Sequence, residues 1–213
     1  HQWPITGTGS NSYTSTTHSL SLSVDFSQTT FDWANMTDSY NSNSTPIENN
    51  AVATLMYNCG VAVKMDYAAS SGAYSKEAAR VLISNFGYDT NIQYIDRDYY
   101  TRDEWKAMIK EELSAARPVL YSGNSGTSGH FFVCDGYDNN DFFHFNWGWG
   151  GTSNGYFRIS ALDPADQGIG GSVGGYNNYQ AIITGIQKPS NTSIPKYLII
   201  SNDSITYPSV PSV

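Results

Sequence analysis

A change of hydrophobic period at Pro118 constrains this chain more than any other feature. Before it, apolar residues recur at the three- and four-residue spacing of helices; after it they alternate or run in short blocks, as strands do. Thr45-Pro46-Ile47-Glu48 is a capping box with proline at the first helical position. The helix it opens is expected to carry Val52, Leu55, Met56 and Cys59 as a packed apolar stripe and to stop at Gly60. A second helix is expected over 75–86, with Ala78, Val81, Leu82 and Phe86 inward and Gly87 as terminator. Thr101-Arg102-Asp103-Glu104 caps a third, in which Trp105, Met108, Ile109, Glu112 and Leu113 share a face. Strands follow at 119–122, 130–137, 141–147, 155–160 and 179–186, while residues 1–46 read as surface loops with a few short strands. Helices first and a strand meander second predict an α+β fold.

The 213 residues are enough for one domain or a two-lobed one. Eleven lysines and arginines against 19 aspartates and glutamates leave a net charge of −8, a poor balance for a phosphate backbone, so no nucleic-acid partner is expected. Charged residues make up 14% of the chain, where about 25% is usual, and aromatics another 14%, a composition that suits an extracellular protein. No apolar run is long enough to span a bilayer, so no membrane span is expected. Cys59 and Cys134 stand apart from each other and from any histidine at zinc spacing, which excludes a disulfide scaffold and gives no support for a metal. No cofactor is expected, and no loop has the GxxxxGK[ST] pattern that cradles phosphate.

Three glycine-rich loops, at 122–129, 146–151 and 166–178, separate the strands; each alone could be a plain hairpin turn or a loop facing a ligand. His130 stands where the first of them becomes a strand. A lone histidine there is more often structural than catalytic, but its neighbours change the odds. Gly129-His130-Phe131-Phe132-Val133 is followed by Asn146-Trp147-Gly148-Trp149-Gly150-Gly151 and then by Asn154-Gly155-Tyr156-Phe157-Arg158-Ile159. That ordered set resembles the second half of papain-like cysteine peptidases. Met65-Asp66-Tyr67, Ser70-Ser71-Gly72, Asn85-Phe86-Gly87-Tyr88 and the glycine-rich loop before Tyr179-Gln180 narrow the resemblance to the streptopain-like cysteine peptidases, over about residues 32–186.

The resemblance implies a papain-like two-lobed peptidase, with helices in its first half and an antiparallel sheet carrying the catalytic histidine in its second. It implies cleavage of peptide bonds by a thiolate, with imidazole moving the proton and a third group orienting the ring. His130 matches the catalytic base, and Asn146 or Trp147 the group supporting it, with Asn146 favoured and Trp147 beside the ring. An ungapped hairpin turning at Asn139-Asn140 would put Asn146 opposite Val133, on the face away from His130; one bulge reverses this. Gly129, Ser71, Gly72, Ala73 and Trp149 match positions lining the substrate cleft, Ala73 standing where the type member of the family has serine.

The family's cysteine lies near the start of a helix in a Gly-Cys-Val-Ala-Thr-like motif, followed by a segment like His1-Gln2-Trp3-Pro4. Ala51-Val52-Ala53-Thr54 echoes that motif without a cysteine. Cys59 falls near a helix C-terminus, where the dipole disfavours a thiolate, and Cys134 shares strand parity with His130 and Phe132, so both are expected to be packed. The expectation is therefore that a missing or separately cleaved N-terminal segment, bearing a propeptide as well, supplies the nucleophile, and that this chain alone is inactive. A truncated chain, or an inactive homologue acting as a peptide-binding or inhibitory module, are the alternatives. Residues 1–186 would form the peptidase domain and 187–213, with Pro189, Pro195, Pro208 and Pro211, a linker or the start of a C-terminal module. Protein or peptide substrates, and a secreted or cell-surface bacterial location for an enzyme made as a zymogen, complete what the resemblance implies.

Overall fold

Both capping boxes form. Thr45 Oγ1 accepts the Glu48 N–H at 3.3 Å while the Glu48 carboxylate accepts the Thr45 N–H at 2.7 Å, and Thr101 and Glu104 repeat the exchange at 3.3 and 2.8 Å. In the computed structural model, which describes residues 2–168 and 171–190, these boxes open helices α1 (Pro46–Ala62) and α3 (Arg102–Ser114), with α2 (Ser75–Ser84) between them. The three helices do not share one lobe. A hairpin of β1 (Ser10–Thr14) and β2 (Ser21–Asp25) packs with α1 and α2 around Phe26, Phe31, Ala62, Val81 and Phe86. The second lobe is an antiparallel sheet of β3 (Gln93–Asp96), β4 (Val119–Asn124), β5 (Gly129–Tyr137), β6 (Phe143–Asn146), β7 (Gly155–Phe157) and β8 (Asn178–Thr184), in the order β3-β8-β4-β5-β6-β7.

Alternation on β4, β5 and β6 sends Val119, Tyr121, Phe132, Cys134, Phe143 and Phe145 to one face, where Trp105 and Ile109 of α3 complete the core. A smaller cluster joins the lobes: Ala79 of α2 meets Ile92, Ile183 and Ile186. The two-lobed α+β architecture is thus present, with α3 belonging to the sheet. Sequence periodicity does not announce β3, whose four residues are all half-buried and show no alternation.

α1 departs from expectation. It runs through Gly60 to Ala62, and its inward stripe is Ala51, Leu55, Asn58 and Ala62, about one residue round from the one expected. Met56 is 66% exposed and Cys59 is exposed as well, so Cys59 is not the packed residue anticipated. Gly60 is where the helix meets its neighbour, since an added Cβ would lie 1.9 Å from the Tyr67 hydroxyl. α2 ends close to its expected limit, with Gly87 at φ +60 completing the turn.

Beyond Ile186 the chain remains tied to the body. The buried Asp89 takes N–H donors from Asn91 at 2.9 Å and Ser190 at 3.4 Å, and its own N–H donates to the Gln187 carbonyl at 3.0 Å. The linker expected over 187–213 therefore starts as a pinned strip at 187–190; residues 191–213 lie outside the described residues.

Glu112 shares a helix face with Trp105 and Ile109 because it is paired. Arg117 donates to both its oxygens at 2.8 Å, and the Gly185 N–H donates at 2.8 Å, which ties α3 to the end of β8. Burial acts to raise its pKa, yet Arg117 and the Gly185 N–H hold it below the usual glutamate value. Its stabilising contribution is therefore present above the unfolded-state pKa and lost as pH falls through the lower folded value. Glu112→Ala, leaving Arg117 unpaired in a mostly buried place, is expected to lower stability by about 3–5 kcal/mol in urea unfolding at neutral pH. A loss under about 1 kcal/mol, the range of surface pairs, would show that water already screens the pair.

Candidate active site

β5 starts at Gly129, so His130 stands at the strand's mouth with its side chain on the core face, one pleat ahead of Phe132. Its ring is sandwiched in aromatics: Trp149 stacks at 4.8 Å and 22°, Tyr176 tilts at 5.3 Å, Phe132 stacks at 5.7 Å, and Trp147 lies parallel at 6.5 Å. Nε2 lies 2.8 Å from the backbone carbonyl of Trp147. A carbonyl can only accept, so Nε2 carries the proton and the neutral ring keeps its lone pair on Nδ1. Burial among these rings lowers the His130 pKa below its ordinary 6.5, and the Trp147 carbonyl only partly opposes this. At neutral pH the ring is an uncharged proton acceptor held by one nitrogen.

The backbone of Trp147 is itself fixed. Its N–H donates to Asn154 Oδ1 at 3.0 Å, its indole N–H donates to the Ser153 carbonyl at 3.0 Å, and its side chain is fully buried. Asn146 is not brought to the histidine. It pairs with Val133 across β5 and β6, facing away from the ring, and its Oδ1 accepts the Gly148 N–H at 2.9 Å. The turn is not the two-residue one at Asn139-Asn140: Tyr137 pairs with Phe143 and the Asp138 N–H meets the Phe142 carbonyl. That turn shifts the register by one residue and a bulge between Cys134 and Gly136 returns it, so the two irregularities cancel. The oxygen beside Nε2 is therefore a main-chain carbonyl and not the Asn146 amide.

Of the other anticipated residues, Trp149 and Gly129 lie at the ring, on its face and next to it in β5 respectively. Ser71, Gly72 and Ala73 are exposed on the first lobe, in a loop closed by paired N–H···O bonds between Asp66 and Gly72 at 2.9 and 3.2 Å. No hydrogen bond or ring contact among the described residues links them to His130. Neither cysteine is a thiolate in waiting. Cys134 is fully buried and desolvation raises its pKa strongly, while Cys59 sits in the last turn of α1, where the helix dipole disfavours a thiolate.

Sequence reading missed Tyr176 and Asn154. Tyr176 is fully buried from within the glycine-rich loop; its hydroxyl donates to Gln167 Oε1 at 2.9 Å and accepts the Ser172 N–H at 3.1 Å. Two glycines admit these rings: a Cβ on Gly123 would fall 2.2 Å from the Tyr176 carbonyl oxygen, and one on Gly168 would fall 2.2 Å from Trp149 Cγ. Residues 169 and 170 of that loop lie outside the described residues.

A profile of the peptidase C10 family matches residues 1–157. The chain belongs to the peptidase C10 family. Streptopain of Streptococcus pyogenes is 38% identical over 194 residues, 88% of this chain and 49% of that protein. The thiol protease/hemagglutinin PrtT of Porphyromonas gingivalis is 41% identical over 163 residues, 76% of this chain and 19% of that one. Among solved structures, active wild-type interpain A, a cysteine protease of Prevotella intermedia, superposes with a TM-score of 0.78 at 37% identity, covering 87% of this chain and 77% of that one. The C10 chain described here thus spans about half the length of streptopain and has a papain-like fold.

In an NMR titration of the C10 domain, His130 is expected to titrate below 6.5, and Trp149→Ala, which opens one face of its cage, to bring the value back up. Since the folded value is the lower one, the unfolded chain binds the extra proton first, and stability falls as pH drops through 6.5. A wild-type value at or above 6.5 would mean that water reaches the ring and that the aromatic cage does not set its protonation.

Proposed function

We propose that this domain hydrolyses peptide bonds by a Cys/His mechanism in which His130 is the general base and the nucleophilic cysteine comes from an N-terminal segment, missing here or separately cleaved, and not from Cys59 or Cys134. The observation that carries this reading is the 2.8 Å contact of Nε2 with the Trp147 carbonyl, which leaves Nδ1 as the one free acceptor of a ring held rigid on three sides. A thiol brought to Nδ1 passes its proton to the ring; the thiolate attacks the substrate carbonyl, and the imidazolium gives the proton to the leaving amine. Nδ1 then takes a proton from the water that cleaves the thioester. A depressed pKa suits the donation to the leaving amine, because the ring parts readily with the proton it borrows, while the two uptake steps rely on the thiol or the water being set within hydrogen-bond reach of Nδ1.

In this reading Trp147 acts through its carbonyl and Trp149 through its ring, which keeps water from one face of the imidazole. Gly129 opens the approach beside His130. The fold itself does not ask for glycine there, as an added Cβ would meet nothing nearer than 3.8 Å. Ser71, Gly72 and Ala73 form the facing wall on the first lobe, consistent with their exposure. Residues 1–186 are the peptidase domain. The exposed Met56 and Cys59 on α1 fit an apolar surface on which the nucleophile-bearing segment packs. Protein or peptide substrates, an inactive state for this chain on its own, and a secreted or surface bacterial enzyme made as a zymogen belong to the same proposal. It is supported by the bacterial relatives, by a solved prointerpain A fragment at 36% identity, and by the lack, among the described residues, of a helix long and apolar enough to cross a membrane.

The test uses the whole protein with its nucleophile. His130→Ala is expected to lower kcat/KM by roughly 10²–10⁴-fold with little change in thermal midpoint. Asn146→Ala, and His144→Ala in β6, whose ring is hydrogen-bonded to Asp135, should each cost far less. Alkylation by iodoacetamide, followed by peptide mapping, should mark a cysteine other than Cys59 and Cys134, and Cys59→Ser should retain activity. Loss of both labelling and activity in Cys59→Ser would overturn the assignment of the nucleophile.

A further inference from the structure

His130 is surrounded by rings and backbone groups; the charged side chains gather elsewhere. Four of the chain's eleven lysines and arginines, Arg97, Arg102, Lys106 and Arg158, line one cleft of about 590 Å³ in a molecule whose net charge is −8. The cleft lies where the chain leaving edge strand β3 and the chain leaving edge strand β7 meet the first turns of α3. Neither His130 nor any ring of its cage lines it.

Lys106 pairs with Asp141 and Asp103, but the three arginines there are not explained by internal pairing. Among the described residues, Arg97, Arg102 and Arg158 make no ion pair with a carboxylate. Two of the three are held ready without one. Arg97 lies over the Trp105 ring at 5.5 Å and donates to the Tyr100 carbonyl, while Arg158 lies over the Phe142 ring at 4.5 Å. Arg102 stands exposed at the first position of α3. Two carboxylates also line the cleft, but Asp141 is bridged by Lys106 at 2.7 Å and Lys110 at 2.5 Å, and Asp98 is one charge against three guanidinium groups.

One wall is rigid and amide-bearing. Gln180 lines the cleft and is buried; its Oε1 accepts from the Tyr121 hydroxyl at 3.0 Å, and its Nε2 donates to the Ile159 carbonyl at 2.9 Å. Guanidinium groups arriving from three separate segments, each with free N–H donors, suit an anion with several oxygens pointing in different directions better than a flat carboxylate. The volume exceeds what a bare ion needs and leaves room for the group that bears it.

We propose that this cleft is a second binding site, separate from the peptide-cleaving one, for a tetrahedral oxyanion carried as the phosphate or sulfate of an ester. The test titrates the full chain with inorganic phosphate and, separately, with inorganic sulfate, at ionic strength held constant with chloride, followed by calorimetry and by NMR shifts of the residues named. Saturable binding is expected, weakened at least about tenfold in Arg158→Gln and in Arg102→Gln, since each removes charge-assisted hydrogen bonds. It should be unchanged in Arg80→Gln, whose guanidinium pairs with Glu77 on α2. Arg102 is exposed and makes no ion pair or ring contact among the described residues, so its variant decides the matter even if loss of the Phe142 contact keeps Arg158→Gln from folding. The ion that binds more tightly identifies the ester. Absence of saturation with either ion in the millimolar range, or equal weakening in all three variants, would overturn the site.

Discussion

The backbone of Trp147 is the fixed point from which the site is built. Its carbonyl holds Nε2 of His130, its N–H is held by Asn154, and its indole is sealed into the sheet's core and tied to the Ser153 carbonyl. A side-chain amide in that role could swing about two torsions, whereas a main-chain carbonyl at the end of a hairpin moves only if the hairpin does. The imidazole is therefore referenced to the packed interior of the second lobe, and its tautomer follows without any charged partner. An ionised carboxylate beside the ring would have raised its pKa; a neutral carbonyl within a desolvating cage leaves it lowered.

How much of this could be read from the chain depends on whether the information was local. Both capping boxes involve neighbours a few residues apart and form intact, and the change of period at Pro118 holds from β4 onward, although β3 precedes it. The stripe on α1 does not hold, because its inward face includes Asn58, a residue that a hydrophobicity pattern counts as outward. Asn58 Nδ2 donates to the Thr54 carbonyl at 2.8 Å, while its Oδ1 is buried without a hydrogen-bond partner among the described residues. Glu112 was legible as a member of a buried face, though nothing in the spacing identified Arg117 and Gly185 as its partners.

The site divides the same way. His130, Trp147 and Trp149 were marked by the blocks that carry the family resemblance, whereas the atom beside Nε2 belongs to the main chain, which every residue has. Simple alternation put Asn146 opposite Val133, and the structure arrives at that pairing through two compensating irregularities that no sequence rule resolves. Tyr176 was hidden by its surroundings: a glycine-rich stretch reads as a turn, yet the glycines at 123 and 168 let large rings close on the histidine.

The strand order has a bearing on how such a protein survives in solution. The sheet is open, and its two outermost strands, β3 and β7, are its shortest along with β6, at four and three residues. A border of that length offers a foreign strand only a couple of hydrogen bonds before it ends, and the longer, more apolar strands lie shielded between neighbours on both sides. The order of strands thus limits edge-to-edge aggregation in an aromatic-rich protein.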